Sequence, residues 1–149
     1  MKIKLSVSDE SYAEIKQSLE AHGITIDEES DLILIQKDQY PGHMTVRREN
    51  GEKTVVAVSD IITIESYGHT VEISTANGVF KTSDRLYRIE KLLDPCQFLR
   101  ISNSVIIAKA QVKEITPTFS MKFILKMKNN TRVDVTRGYY SKFKAYFGI

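Results

Sequence analysis

Alternation of apolar and polar positions dominates this sequence, interrupted by a few stretches with helical spacing. Residues 2–7 alternate and predict a strand. Over residues 9–22, Tyr12, Ile15 and Leu19 recur at helical spacing, and Ser8 or Asp9 can cap the start. Gly23 can end that helix in the left-handed conformation. Ile24 and Ile26 alternate with Thr25 and Asp27. After the acidic stretch Asp27-Glu28-Glu29-Ser30-Asp31, the run Leu32-Ile33-Leu34-Ile35 reads as a buried strand. These segments predict a small β-α-β unit, followed by a turn at Tyr40-Pro41-Gly42. Such a unit is too small to stand alone comfortably and needs packing against the rest of the chain or a second copy.

From Met44 onward the pattern is mostly β. Residues 44–48 and 54–58 flank Asn50-Gly51, a hairpin signal. Strands follow over 61–66, 71–75 and 79–82, with turns at Tyr67-Gly68 and Ala76-Asn77-Gly78. Ser83 is a cap candidate for a helix through Leu93, with Leu86, Ile89, Leu92 and Leu93 on one face. Asp94-Pro95 ends it. Residues 98–101 and 105–108 are short apolar runs, and 112–116 stops before Pro117. Residues 123–127 and 132–135 flank an Asn129-Asn130 turn, and 138–147 predicts a short helix. Short strands at turn spacing indicate antiparallel sheets. The expected organisation is a β-α-β head over residues 1–43 and a mostly β domain with short helices over 44–149.

Charge sharpens that division. The net charge is +2, yet residues 1–45 carry four basic and nine acidic side chains, a net of −5. Residues 109–149 carry nine basic and two acidic ones, a net of +7. An acidic head and a basic tail point to a polyanion partner for the tail; a solvated basic surface is the plainer alternative. The 149 residues suit one domain with an appendage. Cys96 is the single cysteine, so neither an internal disulfide nor a multi-cysteine zinc site can form. Apolar runs are far shorter than a membrane span, and the N-terminus lacks a signal-peptide pattern. A cytoplasmic protein with no membrane contact is expected.

Enzyme chemistry has no positive sign. The glycines are scattered rather than gathered into a phosphate loop. His22, His43 and His69 lack metal-ligand spacing, so no metal and no cofactor are expected. No helix-turn-helix and no RNA-binding aromatic strand is present. A basic β domain would have to meet DNA with loops and strand ends. Three polar tips are available: His69 between two strands, Asn103 in Ser102-Asn103-Ser104, and Arg137 just after a strand. Taken singly, each is equally at home as an ordinary turn or surface residue.

Four segments join those positions. They are Val58-Ser59-Asp60-Ile61-Ile62-Thr63-Ile64-Glu65-Ser66 with the Tyr67-Gly68-His69 turn; Arg85-Leu86-Tyr87-Arg88-Ile89-Glu90-Lys91-Leu92-Leu93; Phe98-Leu99-Arg100-Ile101-Ser102-Asn103-Ser104-Val105-Ile106-Ile107; and Arg132-Val133-Asp134-Val135-Thr136-Arg137-Gly138-Tyr139-Tyr140. Over residues 44–148 the chain resembles the LytTR DNA-binding domain of bacterial transcriptional regulators. Ser102 stands where that family often has histidine or cysteine, and Ala108 where asparagine is common. The resemblance implies an elongated stack of small antiparallel sheets whose loops enter successive major grooves and read short direct repeats. It implies base or loop contacts by His69, Asn103 and Arg137. Arginine can donate twice to guanine O6 and N7, and histidine can donate to a base acceptor. Arg100, Lys109, Lys142 and Lys144 are the expected phosphate contacts, with an internal ion pair as the competing role for Arg100.

Many relatives in that family carry a phosphate-accepting receiver domain ahead of this module. The acidic head is too short for one, so a stand-alone regulator without phosphorylation control in this chain is expected. The head is a candidate for homodimerisation or another protein contact, or simply completes the fold. The expected function is sequence-specific double-stranded DNA binding in transcription regulation, not catalysis. The alternative is an interaction adaptor whose β module binds an acidic protein.

Overall fold

The computed structural model describes residues 1–36 and 40–149; of the span expected for the head, 37–39 lie outside the described residues. The chain forms two compact units, Met1–Tyr40 and Pro41–Ile149.

In the first unit β1 (Lys2–Ser6) runs parallel to both β2 (Thr25–Ile26) and β3 (Ile33–Ile35), in the order β2-β1-β3. The crossover from β1 to β2 is α1 (Asp9–Ala21), whose first turn places Asp9 and Glu10 at the positive end of the helix dipole. Ser8 occupies its cap position without a side-chain bond. Gly23 follows with φ of 81°, a conformation that favours glycine. Among the described residues of this unit, only Ile3 and Leu5 are buried. The run expected to be buried departs from expectation: Leu32, Ile33 and Leu34 are 54%, 48% and 41% exposed. The cause is topology. β3 lies at the edge of a three-stranded parallel sheet, and parallel sheets bury both faces only when both are covered.

The second unit has two antiparallel sheets. The larger runs β5-β4-β8-β7-β6-β10-β9, comprising β4 (His43–Arg47), β5 (Lys53–Ala57), β6 (Ile61–Tyr67), β7 (Thr70–Thr75), β8 (Gly78–Thr82), β9 (Phe98–Arg100) and β10 (Val105–Ala108). The smaller is β11-β12-β13, from β11 (Val112–Pro117), β12 (Phe123–Met127) and β13 (Arg132–Val135). Pro117 belongs to β11, where it pairs with Phe123; β11 is an edge strand, which tolerates a missing N–H. The helix expected from Ser83 begins later: α2 spans Leu86–Leu92 with Arg85 at its cap position. β8 continues to Thr82, whose hydroxyl accepts the Asp84 N–H at 3.2 Å and holds a turn ahead of the helix. Leu86 and Ile89 face the core, whereas Leu92 stays 47% exposed.

Two cores fill this unit. One gathers Val46, Ile64, Ile73, Phe80, Ile89 and Ile106; the other gathers Ile101, Ile107, Leu125, Met127, Val135 and Phe143. Adjacent residues of β10 go to opposite cores, Ile106 to the first and Ile107 to the second, and so do Phe98 and Leu99 of β9. These strands are buried on both faces. Their sequence is therefore a continuous apolar run rather than an alternation. The chain ends in α3 (Tyr140–Phe147), which anchors Phe143 in the second core; Phe123 and Tyr140 stack with ring centroids 4.8 Å apart.

Candidate nucleic-acid interface

The turn between the doubly buried β9 and β10 carries one polar tip, and two neighbouring turns carry the others. β6 and β7 join through Gly68 and His69, with Tyr67 opposite Thr70. Gly68 has φ of 60° and His69 has no positive φ, the pattern of a two-residue II′ hairpin with glycine first. Glycine at 68 thus places the exposed His69 at the hairpin apex. β9 and β10 turn through Ser102, Asn103 and Ser104. Ser102 is buried, and its Oγ accepts the Ser104 N–H at 3.2 Å, closing the turn with Asn103 outward. Arg137 opens a 3-10 turn, Arg137–Tyr139, directly between β13 and α3, and is exposed.

Backbone bonds bring the three turns to one end of the sheets. Ser66 N–H donates to Ser104 O at 2.8 Å, joining the base of the His69 hairpin to the Asn103 turn. Thr136 N–H donates to Ile101 O at 3.0 Å, joining the residue before Arg137 to the other side of that turn. The Tyr139 hydroxyl donates to Asn103 Oδ1 at 3.2 Å. Asn103 therefore stands between the other two, linked to each through one short connection.

The expected phosphate contacts divide. Arg100 is 18% exposed at its side chain and turns inward. Its Nη1 pairs with Glu90 Oε2 of α2 at 2.8 Å, its Nε donates to Ser102 O at 2.9 Å, and its Nη2 donates to Asn103 O. Of its two anticipated roles, this geometry is the internal one. Lys109 is also engaged: its Nζ donates to Pro95 O at 2.7 Å and sits 3.6 Å from the centre of the Tyr146 ring. Burial lowers the Lys109 pKa from the ordinary lysine value. Lys142 and Lys144 on α3 are exposed.

Beside His69 lies an open groove of about 450 Å³, lined by Ser66, Gly68, His69, Arg85 and Arg100 among others. Arg85 is exposed there, a cation that sequence spacing did not single out. Acid also borders the hairpin. Tyr67 donates to Glu65, and that bond, with burial and the charges of Glu65 and Glu72, pushes its pKa up to about 12. Among the described residues no group of histidine, cysteine and acidic side chains could hold a metal, and no helix is long and apolar enough to cross a membrane.

A β module that gathers histidine, asparagine and arginine at turns from two sheets, with cations on the adjoining helix, is of the loop-presenting kind of nucleic-acid-binding domain. Residues 51–148 match the family described as the LytTr DNA-binding domain, and the chain belongs to that family. It is 32% identical over 90 residues to the transcriptional regulatory protein LytR of Staphylococcus aureus, covering 60% of this chain and 37% of that protein. It is 28% identical over 120 residues to the sensory transduction protein LytT of Bacillus subtilis, covering 80% of this chain and 50% of that one. The match thus spans half or less of these relatives. A solved LytTr DNA-binding domain from Bacillus cereus superposes on 73% of this chain and 99% of its own, with a TM-score of 0.68 and 25% identity.

Proposed function

We propose that this chain is a bacterial transcription regulator whose β domain, residues 44–149, reads short direct repeats in double-stranded DNA. The observation that carries this reading is the joining of three polar turns at one end of two sheets by the Ser66–Ser104, Thr136–Ile101 and Tyr139–Asn103 bonds. Arg137 offers a guanidinium fork to guanine O6 and N7, and His69 offers a ring N–H to a base acceptor. Lys142, Lys144 and Arg85 supply the phosphate contacts that fix orientation. Selection of bound duplexes from a random pool tests the reading. One enriched sequence is expected, and Arg137→Ala should lose about 1–3 kcal/mol on it while barely changing binding to random DNA. Equal loss on both would reject base readout by Arg137. A pool without enrichment would favour the acidic-protein adaptor instead.

The head adds a contact between two copies of the chain. Its support is β3, an open sheet edge with Leu32, Ile33 and Leu34 about half exposed. An open apolar edge is a template for pairing with the same edge of another copy. Sedimentation should show a dimer that Leu34→Lys converts to monomer; a monomeric wild-type chain ends this reading.

A further inference from the structure

Asn103 is held from three directions. Arg100 Nε donates to the carbonyl before it and Nη2 to its own carbonyl, while Glu90 anchors the guanidinium from α2. Ser102 Oγ accepts the Ser104 N–H. These bonds fix the backbone of the turn. The Tyr139 hydroxyl then fixes the side chain, by donating to Oδ1. Oδ1 is turned toward the protein, and Nδ2 makes no hydrogen bond among the described residues.

Asparagine reads adenine by accepting from N6 and donating to N7 together, so it needs both ends of its amide. Oδ1 keeps a second lone pair, but the hydroxyl bond turns that oxygen to the Tyr139 side, so the outward end of the amide is its two N–H groups. We propose that Tyr139 and Arg100 are positioning residues that preset Asn103 as a hydrogen-bond donor, so that the DNA group it meets is an acceptor and not an adenine edge. The acceptor is a phosphate oxygen or the O6 and N7 of guanine; both are satisfied by N–H donors alone. Presetting removes the cost of ordering the amide on binding. Tyr139 lies two residues beyond Arg137 on the same turn, so the hydroxyl also ties the two reading positions together. This inference rests on the DNA reading above, but its first test does not.

That first test is side-chain amide NMR of the free protein. Tyr139→Phe, which deletes one oxygen, should move the Asn103 Nδ2H2 pair and leave the backbone spectrum of the cores in place. An unmoved pair overturns the inference without reference to DNA. The second test compares selections from a random duplex pool by wild type, Asn103→Ala and Tyr139→Phe. Tyr139→Phe should bind the selected site about 3–10-fold more weakly, the worth of one ordinary hydrogen bond, with unchanged melting. Any position whose preference Asn103→Ala abolishes should not be adenine in the wild type. Guanine there assigns the base edge, and equal loss on every sequence assigns the phosphate. Adenine there, or wild-type affinity in Tyr139→Phe, overturns the inference. Arg100→Gln supplies the third arm. A positioning arginine should weaken binding yet leave the salt slope unchanged, whereas a phosphate-bound one would flatten it by about one unit. If the wild type enriches nothing, the DNA reading fails while the NMR result still judges the amide.

Discussion

The head and the β domain solve the same packing problem with unequal means. Among its described residues the head has a parallel sheet of three short strands, one helix and two buried side chains, Ile3 and Leu5. The β domain has two cores, and β9 and β10 lie between them, covered on both faces. Burial of a large aliphatic side chain contributes about 1.5–3 kcal/mol, so the two regions differ greatly in what holds them. Cooperativity should differ as well: local opening is expected first where few apolar contacts oppose it. The acidic head is thus the more labile region, and the basic β domain is the rigid frame for the turns.

The comparison breaks or sharpens through four substitutions. Phe143→Ala removes the fully buried aromatic of the second core and should cost about 3–5 kcal/mol, read as a lower urea midpoint for the β domain. Leu5→Ala is expected to cost about 2–3 kcal/mol within the head, seen as faster hydrogen exchange in β1 and α1. If it lowers the β-domain midpoint as far as Phe143→Ala does, the two regions unfold as one and the contrast is lost. Lys142→Ala should weaken binding to all duplexes alike and reduce the slope of log affinity against log salt by about one unit. A sequence-selective loss would make Lys142 a base reader. The smallest effect belongs to Glu65→Gln. The Tyr67 pKa, raised to about 12 by its bond to Glu65, should move back toward 10 when the phenol is titrated by ultraviolet absorbance. Because the folded value is raised, the pair contributes stability below pH 10 that is lost between about 10 and 12.

Turn chemistry made much of the β domain legible from sequence. Asn50-Gly51, Gly68-His69 and Asn129-Asn130 all sit at hairpin turns, with positive φ at Gly51, Gly68 and Asn130. Those signals are local, and so is the backbone conformation they require. What failed depended on distant partners. The run Leu32-Ile33-Leu34 has a buried-strand composition, but composition does not state whether the outer side of a sheet is covered. The start of α2 was set by the length of β8, not by the capping propensity of Ser83. In the candidate site, the turn positions of His69, Asn103 and Arg137 were legible from the strand and turn pattern, and a family resemblance joined them. The inward engagement of Lys109 was not legible, because nothing in a linear sequence marks which way a cation faces; for Arg100 the internal ion pair was one of two expected roles. Tyr139 lay within a segment that carried the resemblance, but its bond to Asn103 joins residues 36 apart in the chain and had no local mark.

The double burial of β9 and β10 has an evolutionary corollary. Side chains 69, 103 and 137 project from turns whose roots are gripped by packed interior, while the three residues themselves are exposed. Exchanging one of those side chains leaves the pitch between neighbours intact and carries little folding penalty. New side-chain chemistry can therefore arise by single substitutions at the rim, whereas a change in the spacing of the three positions would demand a rebuilt interior.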